Sequence, residues 1–154
     1  MTILALDQAS RHTAYSVGQN GKLTDYGELK ATGDGDDRIY QMALLIKNKI
    51  ESVSPEIVVF ENVQLQSGNV STYQMLARLQ GELIYILKQM NLPYEIVPPV
   101  TWKSYIGICK GKRDAQKKAC IELMQKKYGL DLNGNDDIAD SLGILTYAMN
   151  KKEN

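Results

Sequence analysis

Histidine and cysteine are nearly missing from this chain of 154 residues: His12 is its one histidine, and Cys109 and Cys120 are its two cysteines. Two cysteines make neither a disulfide framework nor a four-ligand zinc site. A single histidine leaves a Ser–His–Asp triad dependent on His12, at a polar turn with no nucleophile elbow beside it. Pairing of either cysteine with His12 has no further support, and both cysteines read as packing residues of a reduced, intracellular protein. Long apolar runs are missing too: stretches such as Ile57-Val58-Val59-Phe60 fall far short of the roughly 20 residues a membrane span needs. No basic, then apolar, then small-residue leader opens the chain, so the expectation is no secretory signal. The glycine-rich phosphate loop ending in Lys-Ser/Thr, the Gly-x-Gly-x-x-Gly fingerprint and His-Glu-x-x-His are all absent, and no organic cofactor is expected. Excess charge is the last absence. Lys plus Arg number 18 against 18 Asp plus Glu, a balance that ordinarily argues against a nucleic-acid partner.

What is present suits a single domain over residues 1–154, with an ordinary 44% hydrophobic content and no repeat, low-complexity tract or linker. Thr2–Leu6 is an apolar run that stops at Asp7. His12–Val17 and Lys22–Thr32 flank Gly18-Gln19-Asn20-Gly21, and Asn-Gly signals a tight hairpin, so three antiparallel strands are expected first. Ile39, Met42, Ala43, Ile46, Ile50 and Val53 then recur at helical spacing before Pro55. Ile57–Phe60 is a continuous apolar strand of the kind buried on both faces of a parallel sheet. A polar loop over 62–71 precedes a helix from about Thr72 to Met90, a strand at Tyr94–Val97 and the Pro98-Pro99 stop. Residues 101–128 read as a short helical turn, a basic loop and a longer helix, and a last helix runs from about Asp136 to Asn150. The order predicts a mixed-sheet α/β domain. On the 72–90 helix, Met75, Leu76, Leu79, Leu83, Ile84, Ile86, Leu87 and Met90, with Tyr73 and Ala77, cover roughly 200° of arc, about twice an ordinary surface stripe. Two readings stand: a helix wedged between its own sheet and a neighbouring helix, or one with a sheet-facing half and a dimer-facing half.

Carboxylates sit where the elements end. Asp7 closes one strand and Glu61 another; Asp137 and Asp140, three apart, share a face at the start of the last helix. A helical crossover at 37–53 makes the two strands parallel neighbours, and open α/β sheets place ligands at the C-terminal strand ends. Four carboxylates in one small volume repel, so some take up protons or a divalent cation neutralises them. Oxygen-only ligands favour Mg²⁺, with Mn²⁺ able to substitute, over zinc. Two such ions would activate water and stabilise the leaving oxygen of a phosphodiester without a histidine base. The plainer alternative makes Asp7 a turn former and Asp136 and Asp137 helix caps; Asp34, Asp36 and Asp37 are read that way. Glu61 resists it, because a charge after four apolar residues needs a partner.

The charge is also unevenly spread. Residues 101–128 hold eight bases, Lys103, Lys110, Lys112, Arg113, Lys117, Lys118, Lys126 and Lys127, against Asp114 and Glu122, or +6; residues 1–62 hold nine acids and six bases, or −3. Lys110-Gly111-Lys112-Arg113 before a helix resembles a phosphate-gripping element, with Lys103 and Lys117 as further DNA contacts. Trp102 and Tyr105 beside Lys103 add stacking or packing. Lys126 and Lys127 read as a solvated helix end.

Leu4-Ala5-Leu6-Asp7, Val58-Val59-Phe60-Glu61 and Asp137-Ile138-Ala139-Asp140-Ser141-Leu142 resemble, in order and spacing, the three acidic motifs of RuvC-type Holliday junction resolvases. Tyr105-Ile106-Gly107-Ile108 and the basic stretch after it resemble the segment that family carries before its DNA-contacting helix. The resemblance implies an RNase H-like fold, a five-stranded mixed sheet flanked by helices. It implies a crossover junction endodeoxyribonuclease that nicks four-way DNA in the presence of Mg²⁺, as a homodimer joined through the 72–90 helix. Asp7, Glu61, Asp137 and Asp140 become both catalytic residues and metal ligands, and Lys103 and Arg113 phosphate contacts. Gln64 stands where family members often have an aromatic used at the junction centre, and the chain is neutral where bacterial resolvases tend to be basic. Both departures resemble a phage or prophage-encoded version, working in a bacterial host's cytoplasm on a broader range of branched DNA. The alternatives are an RNase H-like nuclease on RNA–DNA hybrid and a non-catalytic module that binds branched DNA.

Overall fold

A computed structural model describes residues 1–66 and 68–153. Ser67, part of the polar segment 62–71, lies outside the described residues. Three strands come first: β1 (Thr2–Asp7), β2 (His12–Gln19) and β3 (Lys22–Lys30). Gln19 pairs with Lys22 across the hairpin, and Asn20 and Gly21 take φ of 52° and 74°. Positive φ at both central residues is what a two-residue hairpin turn of the right twist demands, and Asn-Gly meets it with least strain. α1 (Gly35–Val53) buries Ile39, Met42, Ala43, Ile46 and Ile50, the predicted stripe. It ends at Ser54, whose N–H closes on Ile50 O, just before Pro55.

β4 (Ile57–Glu61), α2 (Val70–Gln89), β5 (Tyr94–Val97), α3 (Pro99–Ile106), α4 (Arg113–Tyr128) and α5 (Asp136–Glu153) complete the chain. The sheet order is β3-β2-β1-β4-β5, with β1 parallel to β4 and β4 parallel to β5. This is the expected five-stranded mixed sheet flanked by helices. Several boundaries differ from the sequence reading by a few residues, and two of the differences have a local cause. α2 starts at Val70, inside the predicted loop, because Asn69 Oδ1 accepts from Thr72 N–H at 3.3 Å and so caps the helix earlier. α3 starts at Pro99, whose fixed φ suits the first helical turn.

Alternation along the strands divides the core in two. Ile3, Ala5, Ile57, Val59 and Val97 face α3, α4 and α5, meeting Trp102, Cys120, Met124, Leu142 and Leu145. Leu4, Leu6, Val58 and Phe60 face α1 and α2, meeting Met42, Ile46, Leu79, Leu83 and Leu87. β4 is thus apolar at every position before Glu61 because both of its faces are covered. Cys120 packs in the core as expected, whereas Cys109 is exposed, since Gly107 and Gly111 turn its segment out to solvent between two helices. No helix among the described residues is long and apolar enough to cross a membrane.

Candidate active site

Parallel pairing sets the site. Leu6 lies opposite Phe60, so Asp7 and Glu61 follow side by side at the C-terminal ends of β1 and β4. Asp7 continues the Ile3–Ala5 side of its strand and Glu61 the Ile57–Val59 side, which is the α5 face. α5 is pinned over that face by Ser16 Oγ on β2, which donates to Ser141 O at 2.8 Å. Its first turns bring Asp136, Asp137 and Asp140 to the same place. All five acids line one cleft of about 250 Å³, together with Lys103, Arg113, Lys117 and Gln64. Lys110 and Lys112, predicted with them, are exposed on the connection just before α4 and do not line the cleft.

Helix capping accounts for less of this acidity than the sequence allowed. Asn135 performs the capping: its Oδ1 accepts from Ile138 N–H at 3.0 Å, while its amide donates to Glu28 Oε1 at 2.8 Å. Asp136 is bound to Lys117 at 2.7 Å. Asp137 and Asp140 are left to the cleft.

Electrostatics follow from burial without enough compensating charge. Burial pushes the Asp7 carboxyl well above its ordinary range, and Asp140, Glu61, Asp137 and Asp136 push it further. Asp140 is pushed up to about 7, first by burial and then by Glu61, with Lys103 and the Cys120 thiol opposing. Burial raises Glu61 as well, against the Trp102 indole, Lys103 and Arg113. Asp137 is raised by burial and by Asp136 and Glu28, against Lys117 and His12. Carboxyls held this high carry negative charge at neutral pH only at a cost, and a hard divalent cation would relieve that cost. The donor set, oxygen throughout, suits Mg²⁺ or Mn²⁺. Among the described residues, no three His, Cys, Asp or Glu side chains converge closely enough to hold an ion as they stand.

Several neighbours of the acids escaped the sequence reading. Trp102 Nε1–H donates to Glu61 Oε2 at 2.6 Å, the partner that the buried glutamate called for. Gln8, next to Asp7, is buried and donates through Nε2 to Gln80 Oε1 at 3.0 Å and Glu61 O at 3.4 Å; its Oε1 is buried without a partner. Gln80 on α2 also accepts from Val63 N–H at 3.1 Å and donates to Asn62 Oδ1 at 3.4 Å. Arg113 donates to Gln66 Oε1, joining the segment after β4 to the start of α4. The one available signal was a glutamine, Gln80, flanked on the helix by buried Leu79 and Leu83.

The family model described as DUF3882, Lactococcus phage M3 protein, matches residues 2–150. No curated protein matches the chain in sequence. Among solved structures, Thermus thermophilus RuvC in complex with Holliday junction substrate is similar with a TM-score of 0.79 at 16% identity, covering 99% of this chain and 96% of that one. The fowlpox virus resolvase, in complex with substrate Holliday junction DNA, is similar with a TM-score of 0.65 at 18% identity over 100% of both chains. The yeast mitochondrial Holliday junction resolvase Ydc2 gives 0.65 at 17% identity, covering 96% of this chain and 77% of that one. At such identities the likeness is one of fold.

Proposed function

The chain belongs to the family of the Lactococcus phage M3 protein, and from that footing we propose that it is a divalent-cation-dependent endonuclease resolving Holliday junctions, and other branched DNA, by paired nicks. The observation that carries this reading is the delivery of Asp7, Glu61, Asp137 and Asp140, from three elements, into one cleft edged by Lys103 and Arg113. The resolvases of the same fold described above, two of them in complex with junction DNA, support it. Residues 1–154 act as one nuclease domain.

Asp7, Glu61, Asp137 and Asp140 are the residues that would hold Mg²⁺ or Mn²⁺. Such ions, when bound, supply a water acidic enough to attack a phosphodiester and offset the charge gathering on the phosphate. The chain's own side chains do the rest. Lys103 and Arg113, which line the same cleft, grip phosphate beside the carboxylates. Arg113 exchanges its neutral partner Gln66 for a phosphate oxygen, a stronger, charge-assisted bond. Lys110 and Lys112 follow the backbone further along a DNA arm. Lys117 pairs with Asp136 and offsets part of that fifth acid's charge, which otherwise adds to the repulsion on Asp7 and Asp137. Gln64, at the lip of the cleft, offers an amide to the branch point. Two active sites fit a junction whose paired strands must both be cut, and a homodimer supplies them. The outer side of α2 with α1 is the surface for it: Tyr85 is 66% exposed and Tyr40 60%, beside exposed Leu44. The work is done in the cytoplasm of a bacterial host.

The test compares Mg²⁺-dependent cleavage of a four-way junction, a linear duplex and an RNA–DNA hybrid by the purified chain and by Asp7→Asn. The junction should be cut in preference to the other two. Asp7→Asn should lose at least about 10³-fold in rate, in line with removal of a central electrostatic group, while junction affinity stays within a few-fold. Retained nicking by Asp7→Asn, or preferential cutting of the hybrid, would overturn the proposal.

A further inference from the structure

We propose that Trp102 is the positioning residue for Glu61, its indole fixing one carboxylate oxygen so that the side chain meets a divalent cation in a single orientation. The proposal rests on reading the cleft as a cation-dependent nuclease centre. Trp102 is the chain's one tryptophan and is fully buried. Its N–H, which must find an acceptor once out of water, finds Glu61 Oε2 at 2.6 Å. The pairing is built into the chain path: Val97 lies opposite Glu61 in the β4–β5 register, and Trp102 follows five residues later on α3, after the Pro98-Pro99 turn.

The ring has no freedom to drift. It lies against the backbone of α5 at Gly143, where a Cβ would come within 2.5 Å of Trp102 Cζ3 and 3.0 Å of Cε3. Gly143 stands three residues after Asp140, on the same side of the helix. One rigid indole therefore spans the distance from Glu61 to the helix that supplies Asp137 and Asp140, and fixes the spacing between them. A neutral donor suits this task better than a lysine: it holds the carboxylate without cancelling the charge that a cation needs. Were Trp102 only a filler of the core, its N–H would be incidental and a phenyl ring would serve as well.

That contrast sets the experiment. Trp102→Phe keeps an aromatic ring against Gly143 and removes the donor. Biosynthetic replacement of tryptophan by benzothienylalanine, with sulfur in place of the indole N–H, alters this one position and nearly preserves its shape, so it serves should the phenylalanine variant fold poorly. The full chain is titrated with Mg²⁺ and with Mn²⁺, and the rise in melting temperature gives the half-saturating concentration. Loss of the donor should raise that concentration roughly 10- to 100-fold, the usual effect of removing a hydrogen-bond partner from a metal ligand. Cation-free binding of a four-way junction should stay unchanged. In the unmodified chain, Trp102 emission should shift with the same midpoint as the melting temperature. Equal midpoints with and without the donor, or emission indifferent to a cation that does raise the melting temperature, overturn the role of Trp102 while leaving the nuclease reading standing. An unmodified chain whose melting temperature ignores both cations overturns that reading and this proposal together.

Discussion

Asp140 and Asp7 carry opposite costs for stability and function. Both carboxyls are raised chiefly by burial, Asp7 further by Asp140 and Glu61 and Asp140 further by Glu61, so the folded chain binds protons that the unfolded chain has released. The stability these two groups contribute is therefore fullest below the ordinary aspartate range near pH 4 and drains away as pH rises towards about 7, where Asp140 ionises. The cation-free protein should melt higher at pH 5 than at pH 8. Asp140→Asn should flatten that difference and gain on the order of 2 kcal/mol at pH 8, and Mg²⁺ should protect the unmodified chain more at pH 8 than at pH 5. Melting curves at the two pH values check all three; a profile rising from pH 5 to pH 8 contradicts the assignment. The four principal acids were legible in sequence because each interrupts an apolar pattern at an element's end. Gln8, Gln80 and Trp102 were not. Their partners lie 17 to 72 residues away, and a neutral side chain that hydrogen-bonds across such a gap leaves no periodicity or charge to find.

At the scale of elements, α2 is more than a cover for the sheet. Leu79, Leu83 and Leu87 fill the core, while Gln80 between them reaches over to brace Val63, Asn62 and Gln8. The helix thereby holds the chain immediately after both Asp7 and Glu61. Gln80→Leu should leave the Val63 N–H and the Gln8 amide short of an acceptor, at a cost of about 1–3 kcal/mol. The Val63 amide should exchange with solvent faster, and cleavage should slow at saturating junction while the apparent affinity holds. Unaltered exchange at Val63 would show the brace to be dispensable. The broad apolar arc of α2 was plain in sequence. Its division was not, because helical spacing reports which residues are apolar and says nothing of which neighbour each one meets. The structure puts Leu79, Leu83 and Leu87 inside, and leaves Tyr73 and Tyr85 exposed.

For the molecule as a whole, zero net charge conceals a polarity. Acids gather at the C-terminal ends of β1 and β4 and the first turns of α5, and bases on α3, α4 and the connection between them. With few spare positive charges, affinity for plain duplex should be weak at physiological salt and lean on the basic segment. Replacing Lys112 and Arg113 together with alanine should weaken binding of every DNA shape in similar proportion and reduce the salt slope by about 2, one for each phosphate no longer neutralised. Filter-binding or anisotropy titrations over a range of salt concentrations measure this, and an unchanged slope removes both residues from the interface. The hairpin strands and the β1–β4 pair were recoverable from the sequence, since the Asn-Gly turn and the uninterrupted apolar β4 dictate antiparallel and then parallel pairing; the place of β5 was not. The closeness of the basic rim to the acids was not, for it depends on how α3 and α4 pack.

α5 serves two ends at once. It covers one face of the sheet with Leu142, Leu145 and Ala148 and delivers Asp137 and Asp140. A fragment that stops short of α5, whether from a stalled ribosome or a protease, lacks Asp137 and Asp140, two of the four carboxylates proposed as ligands, together with the wall of its core. On the nuclease reading proposed above this amounts to a safeguard: a fragment without α5 should be neither stable nor armed.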